Sequence, residues 1–189
     1  MLPNVILEGH KVRLRAVDEK DLPLFVKWLN DAEVSRWLAL PKGPPRSLEE
    51  EYRWFASVKE ETRQIVWAIE SLDAVLLGNL VLHLRTARPE SGEMGLFIGV
   101  KERWSQGLGA DAIRTFLSHA FGAIGLHRVD LVTDEENLRA QRCFEKCGFR
   151  REGYSREYRR RWVDGQFING VLMAVLAHEF LPATGDRVD

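Results

Sequence analysis

A β-prone run closing on Phe97, Ile98, Gly99 and Val100 leads through Trp104 and Ser105 into Gln106, Gly107, Leu108, Gly109 and Ala110. From there the chain enters apolar positions of helical period at Ile113, Phe116, Leu117, Ala120 and Phe121. A strand that feeds a long helix through a glycine-bearing loop confines the chain to folds in which a helix packs back on a sheet. It also builds a place for an anion. The first N–H groups of a helix have no intrahelical partner and sit at the positive end of its dipole, and glycines remove the side chains that would hold a phosphate away. Glycines that only let the chain turn are the bland alternative, so the rest of the sequence has to decide.

Two other phosphate-binding folds share parts of this junction. Gly107, Gly109 and Ala112 fit the G-x-G-x-x-A dinucleotide fingerprint, and Asp130 lies about 20 residues on, where a ribose-binding acid belongs. That fingerprint opens a series of parallel strand-helix-strand units, whereas here four β-prone runs precede it and a single parallel crossover follows. A nucleoside triphosphatase fits less well, because the loop lacks the Gly-Lys-Ser/Thr ending.

The flanking sequence reads as one mixed α/β domain. Residues 11–17 alternate Val12, Leu14 and Ala16 with Arg13 and Arg15, a strand with one basic face. Asp18 and an acidic first turn open a helix with Leu22, Phe25, Val26 and Leu29 on its apolar stripe, ending near Asn30. Punctuation between Pro41 and Pro45 precedes Ser47 and Glu50, a capping box before a second helix carrying Trp54, Phe55 and Val58. Runs at 64–70, 76–84 and 93–100 read as an antiparallel meander. After the helix at 108–124 come a strand at 128–132, a helix at 137–146, and strands at 150–160 and 166–176 joined by Val163, Asp164 and Gly165. The expected architecture is a central, mostly antiparallel sheet of about six to seven strands flanked by about four helices, with a core over roughly residues 8–180.

Charge and cysteine usage remove several function classes. Among 189 residues, 27 Lys and Arg face 28 Asp and Glu, a balance that speaks against general nucleic-acid binding. The two cysteines, Cys143 and Cys147, fit neither a disulfide framework nor a four-ligand zinc site, so a reducing cytoplasm and no metal are expected. The start lacks a basic segment followed by an apolar core, and the longest clearly apolar stretch, near 170–177, falls far short of the roughly 20 residues that cross a bilayer. Neither a signal peptide nor a membrane span is expected.

A second informative stretch runs from Val132 through Asn137, Arg139 and Ala140 to Cys143, Phe144, Glu145, Lys146, Cys147, Gly148 and Phe149. Together with the loop from Trp104 to Ala110, in this order and at these separations, it resembles the GNAT superfamily of acetyl-coenzyme A-dependent N-acetyltransferases. The opening from Leu7 to Arg15, the Trp28, Leu29, Asn30, Asp31 segment, and the pattern from Asp164 and Gly165 to Met173 look like the branch that includes ribosomal-protein N-terminal alanine acetyltransferases. The resemblance covers nearly the whole chain.

It implies a single GNAT domain, acetyl-coenzyme A as co-substrate, and direct attack by a primary amine in a ternary complex. The acceptor is then a protein N-terminus or a small molecule such as an aminoglycoside, polyamine or amino sugar; a coenzyme A-binding sensor without activity stays open, as does a homodimer. By the same resemblance the amides of Gln106, Gly107, Leu108, Gly109 and Ala110 take the pyrophosphate. The strand Phe97, Ile98, Gly99 and Val100 pairs with the pantetheine arm, and one strand amide polarises the thioester carbonyl. Asn137 contacts that arm, caps the next helix, or does both. Arg142 and Arg139 meet coenzyme phosphates or are solvated.

Glu93, opening its strand, resembles the acidic position used as general base. The usual acid positions hold Phe144 in place of Tyr and Ala140 in place of Ser, and neither has a proton to give. Water is then the expected proton source for the leaving thiolate, with Tyr154 and Tyr158 the other candidates. Nine basic against three acidic residues over 139–161 suit the anionic coenzyme. Five acids against two bases over 18–33 suit an amine, with Trp28, Trp37 and Trp54 as candidate walls. His119 and the other histidines read as structural.

Overall fold

Val12 and Leu14 lie wholly inside while Arg13 and Arg15 reach Glu70 on the neighbouring strand, as period-2 alternation requires. This strand is β2 (Val12–Ala16), preceded by the short β1 (Leu7–Glu8). The computed structural model describes residues 2–40, 45–85 and 90–180, so the punctuation at 41–44 lies outside the described residues. Asp18 and Asp21 form a capping box around a 3-10 turn that feeds α1 (Leu22–Leu29), and α2 (Ala32–Ser35) follows under an Asp31 cap. Ser47 and Glu50 cap each other at the start of α3 (Leu48–Glu60), as their spacing predicts.

The meander is β3 (Gln64–Ser71), β4 (Leu76–Leu84) and β5 (Ser91–Ile98). A crossover through α4 (Leu108–Gly122) reaches β6 (Arg128–Asp134), after which come α5 (Leu138–Lys146), β7 (Arg150–Arg160) and β8 (Phe167–Leu176). All eight strands share one sheet in the order β1-β2-β3-β4-β5-β6-β8-β7, antiparallel except where β5 runs parallel to β6. One core packs α4 and Phe144 of α5 against one face, and a second packs α1 and α3 against the other. The sheet exceeds the expected six or seven strands because two-residue β1 is too short for a periodicity signal. The four-residue α2 likewise raises the helix count to five.

The opening hairpin is docked on α4 by one buried carboxylate. Asp111, in the first turn of α4, accepts from the backbone N–H of Lys11 at 2.7 Å, Val12 at 3.0 Å and His10 at 3.3 Å. Gly9 makes this approach possible, since a Cβ there would stand 2.5 Å from Thr115 Oγ1. The hairpin thereby carries Lys11 to the loop before α4.

Candidate active site

Parallel pairing of β5 with β6 covers only Ser91, Gly92 and Glu93 opposite Arg128, Val129 and Asp130. Beyond Glu93 the two strands part, although β5 stays in continuous register with β4 through Ile98 and β6 with β8 through Asp134. The Gly99 N–H donates to Leu77 on β4 and the Ser91 carbonyl accepts from Arg85, which fixes the alternation along β5. Odd residues turn their backbone to β4, and Met94, Leu96 and Ile98 turn theirs to the gap. The Ile98 carbonyl is taken by Trp104 Nε1 at 2.7 Å. The strand edge that faces the gap therefore runs over Met94, Leu96 and the Ile98 N–H, beginning upstream of the expected 97–100 stretch and entering it at Ile98. Within that stretch Ile98 faces the gap, while Phe97 belongs to the second core and Gly99 seats the Trp28 indole, 2.0 Å from where a Cβ would stand.

The gap opens into a cavity of about 600 Å³ that runs from the loop before α4 to the space between α1 and α3. Gly107 is the N-cap of α4 with φ 82°, and Ser105 also has positive φ, at 62°. Asn137 caps α5 through Ala140 N–H, and Ser47 caps α3, but α4 has no side-chain cap among the described residues. Its first amides are thus left for another acceptor. A Cβ on Gly109 would meet no described atom within 4 Å. Lys11 Nζ bonds the Gln106 carbonyl at 3.0 Å, adding a cation to the loop, while the Gln106 side chain folds back to the Glu102 carbonyl. Arg139 stacks its guanidinium 4.0 Å over the Trp104 ring at the cavity wall. Arg142 is exposed one turn on and is not part of that wall.

Glu93 stands at the fork and lines the cavity. Its carboxylate meets Arg85 at 3.2 Å, and Arg85 also pairs with Asp130 at 2.5 Å. Asp130 is thereby committed to Arg85 and Arg128, which removes it as a ribose acid. Trp37 and Trp54 line the same cavity. Trp28 belongs to the core.

Glu51 of α3 also lines the cavity, 5% exposed, and burial pushes its carboxyl above the usual carboxylate range. It was legible only as an acid in the apolar stripe of Trp54, Phe55 and Val58, at helical spacing from all three.

Tyr158 reaches the cavity because β7 is irregular. Its register with β8 shifts between Ser155 and Arg159, and Glu157 takes φ 49° there while its N–H donates to Asn169. The Tyr158 hydroxyl donates to Asp134 at 2.8 Å, and burial with the Asp134 charge pushes it up to about 12. Tyr154 instead bonds Glu135 and is half exposed.

Much of the basic run is spent on ion pairs: Arg150 with Glu179, Arg151 with Glu145, Arg159 with Asp134 and Arg161 with Glu136. The acidic run is spent likewise, Asp21 on Arg15 and Asp31 with Glu33 on Lys101. Among the described residues no group of metal-ligating side chains assembles, and no helix is long and apolar enough to cross a membrane. His119 packs its ring edge-on to Trp67, with burial lowering its basicity.

Residues 11–150 match the acetyltransferase (GNAT) domain family. An uncharacterized N-acetyltransferase, YoaA of Bacillus subtilis, is 30% identical over 157 residues, covering 81% of this chain and 87% of its own length. Spermidine N(1)-acetyltransferase of Escherichia coli K12 is 26% identical over 175 residues, 92% of this chain and 90% of its own. Among solved structures, a GNAT-family acetyltransferase from Bacillus anthracis superposes with TM-score 0.79 at 19% identity, over 93% of this chain and 100% of the other. The Vibrio cholerae spermidine N-acetyltransferase, solved with CoA and spermine, gives 0.79 at 22% identity, over 89% and 96%.

Proposed function

The chain belongs to the acetyltransferase (GNAT) domain family, and from that premise we propose that it moves an acetyl group from acetyl-coenzyme A to a primary amine by direct attack in a ternary complex. The observation that carries this reading is the fork between β5 and β6, which ends at the uncapped start of α4. The amides of Gly107, Leu108, Gly109 and Ala110, with Lys11 and Arg139 beside them, hold the pyrophosphate. Met94 and Leu96 add the pantetheine arm as a strand, and a gap-facing N–H there stabilises the oxygen that becomes negative. Asn137 caps α5 and turns the rest of its amide to the arm. Glu93 takes the proton from the amine. The acceptor is a protein N-terminus, as in the ribosomal-protein branch that the opening segment resembles, or a small-molecule amine. The reaction suits a cytoplasmic setting, where acetyl-coenzyme A is made and used.

Thiol release from acetyl-coenzyme A, followed across a panel of amines, tests the reading. Release that depends on an amine supports it, and coenzyme binding without release for any amine makes the chain a sensor.

Water protonates the leaving thiolate in this scheme. The Tyr158 proton is held by Asp134, and a phenol raised to about 12 is a weaker acid than the thiol it would serve. Tyr154→Phe is expected to leave kcat unchanged, and Tyr158→Phe to lower it less than about tenfold. A loss of several hundredfold in Tyr158→Phe with coenzyme affinity intact would make Tyr158 the acid.

A further inference from the structure

We propose that the acceptor is a primary amine with one positive charge on an apolar or aromatic body, its ammonium captured by Glu51 on entry, before Glu93 takes its proton at the fork. This rests on the acetyl-transfer reading and names the class of amine.

A buried carboxylate is costly unless something compensates its charge, and at a cavity wall a ligand cation can do so. Glu51 is 5% exposed and makes no hydrogen bond or ion pair with another described side chain. The Arg46 charge acts on it, and its field does not offset the burial. Much of the cavity wall is apolar: Leu29, Val34, Trp37, Leu38, Trp54 and Phe97 line the same cavity as Glu51. Such a wall removes apolar surface from water and offers ring faces to a cationic or aromatic guest.

The charges around it restrict the guest to one ammonium. Among the described residues, the cavity is lined by one carboxylate besides Glu51, namely Glu93, which is already held by Arg85; of its cations Arg103 is paired with Asp73 and Arg139 is assigned to the pyrophosphate, which leaves Arg46. A polyamine would bring further ammonium groups with no second uncommitted carboxylate among the described lining residues to meet them, and with Arg46 to repel them. A peptide N-terminus would lay unpaired main-chain N–H and C=O groups on an apolar wall. An arylalkylamine or alkylamine meets neither penalty.

The test uses 2-phenylethylamine, spermidine and an alanine-starting peptide. Binding of each is measured with coenzyme A present, from the fluorescence of Trp37 and Trp54, a readout that needs no turnover. Phenylethylamine is expected to bind saturably and at least tenfold more tightly than the other two. Glu51→Gln should weaken it by at least tenfold, as loss of a charge-assisted hydrogen bond does. Tighter binding of spermidine or peptide, or unchanged affinity in Glu51→Gln, overturns the proposal.

Thiol release separates the two readings. Turnover with spermidine preferred sinks this inference and leaves acetyl transfer standing; Glu51-dependent amine binding without release for any amine does the reverse. Folding of the variant is read from its melt. Because burial raises the folded-state pKa of Glu51 above the unfolded value, ionised Glu51 destabilises the fold above that raised pKa, and below the unfolded pKa the effect vanishes. Glu51→Gln should therefore melt higher than the parent at pH 8 and close to it near pH 4. If the amide is not tolerated, Glu51→Asp keeps the charge but shortens its reach, and a loss of about threefold or more is expected, unchanged affinity again overturning the proposal.

Discussion

Gly109→Val is expected to weaken acetyl-coenzyme A at least 100-fold in calorimetry, about 2.7 kcal/mol, while the protein still folds. Gly109 is the second residue of α4, its φ is not among the positive ones, and its Cβ direction points at open space. Valine therefore fits the backbone there and has better helix propensity than glycine. The cost falls on the ligand, because a stiff branched side chain occupies the volume through which a phosphate oxygen would reach the first amides of α4. Gly107 is the poorer test. With φ 82° and Lys11 Nζ 3.3 Å from its Cβ direction, any side chain strains the backbone whether or not a ligand binds. A folded Gly109→Val protein with unaltered coenzyme affinity would remove the anion site from α4.

The elements that set up this site were legible in sequence where local rules determine them. Ser47 with Glu50, and Asn137, announce helix starts by side-chain chemistry alone and cap α3 and α5 as read, whereas Asp18 caps the 3-10 turn that feeds α1 and not α1 itself. The meander and the single crossover follow from strand length and turn residues. What the sequence does not display is the distance at which β5 and β6 stop pairing, since both strands continue apolar past the fork and only tertiary packing separates them. Backbone direction along β5 is fixed by its register with β4, so the gap-facing edge runs over Met94, Leu96 and Ile98 and meets the expected 97–100 stretch at Ile98. Charge counting misled for a related reason. Runs of like charge at 18–33 and 139–161 meet partners that counting within the run leaves out, such as Arg15 and Lys101 for Asp21 and Asp31, or Glu179 for Arg150, so the described cations lining the cavity are Arg46, Arg103 and Arg139, two of them outside those runs, with Lys11 on the loop beside it. Tyr158 depended on an irregularity in β7 that no period predicts.

Glu93→Gln should lower kcat by roughly 10²-fold with coenzyme affinity intact. The amine arrives protonated at neutral pH, and its lone pair is the nucleophile, so a group at the fork has to accept that proton before or during attack. Glu93 is the last residue of β5 paired with β6, and it lines the same cavity as Trp37 and Trp54. Its ion pair with Arg85 does not make it merely structural. Arg85 is bonded to Asp130 as well, at 2.5 Å, so replacing Glu93 with the isosteric amide leaves that cation paired and the strand register undisturbed. Glu93 and Asp130 stand opposite each other at the end of the three-residue pairing, where Asp130 still holds Arg85. A fall in kcat therefore reports the lost basicity and not a loosened sheet. Should the Gln variant turn over within about twofold of the parent, Glu93 is a surface partner of Arg85 and the amine loses its proton to water or to Glu51.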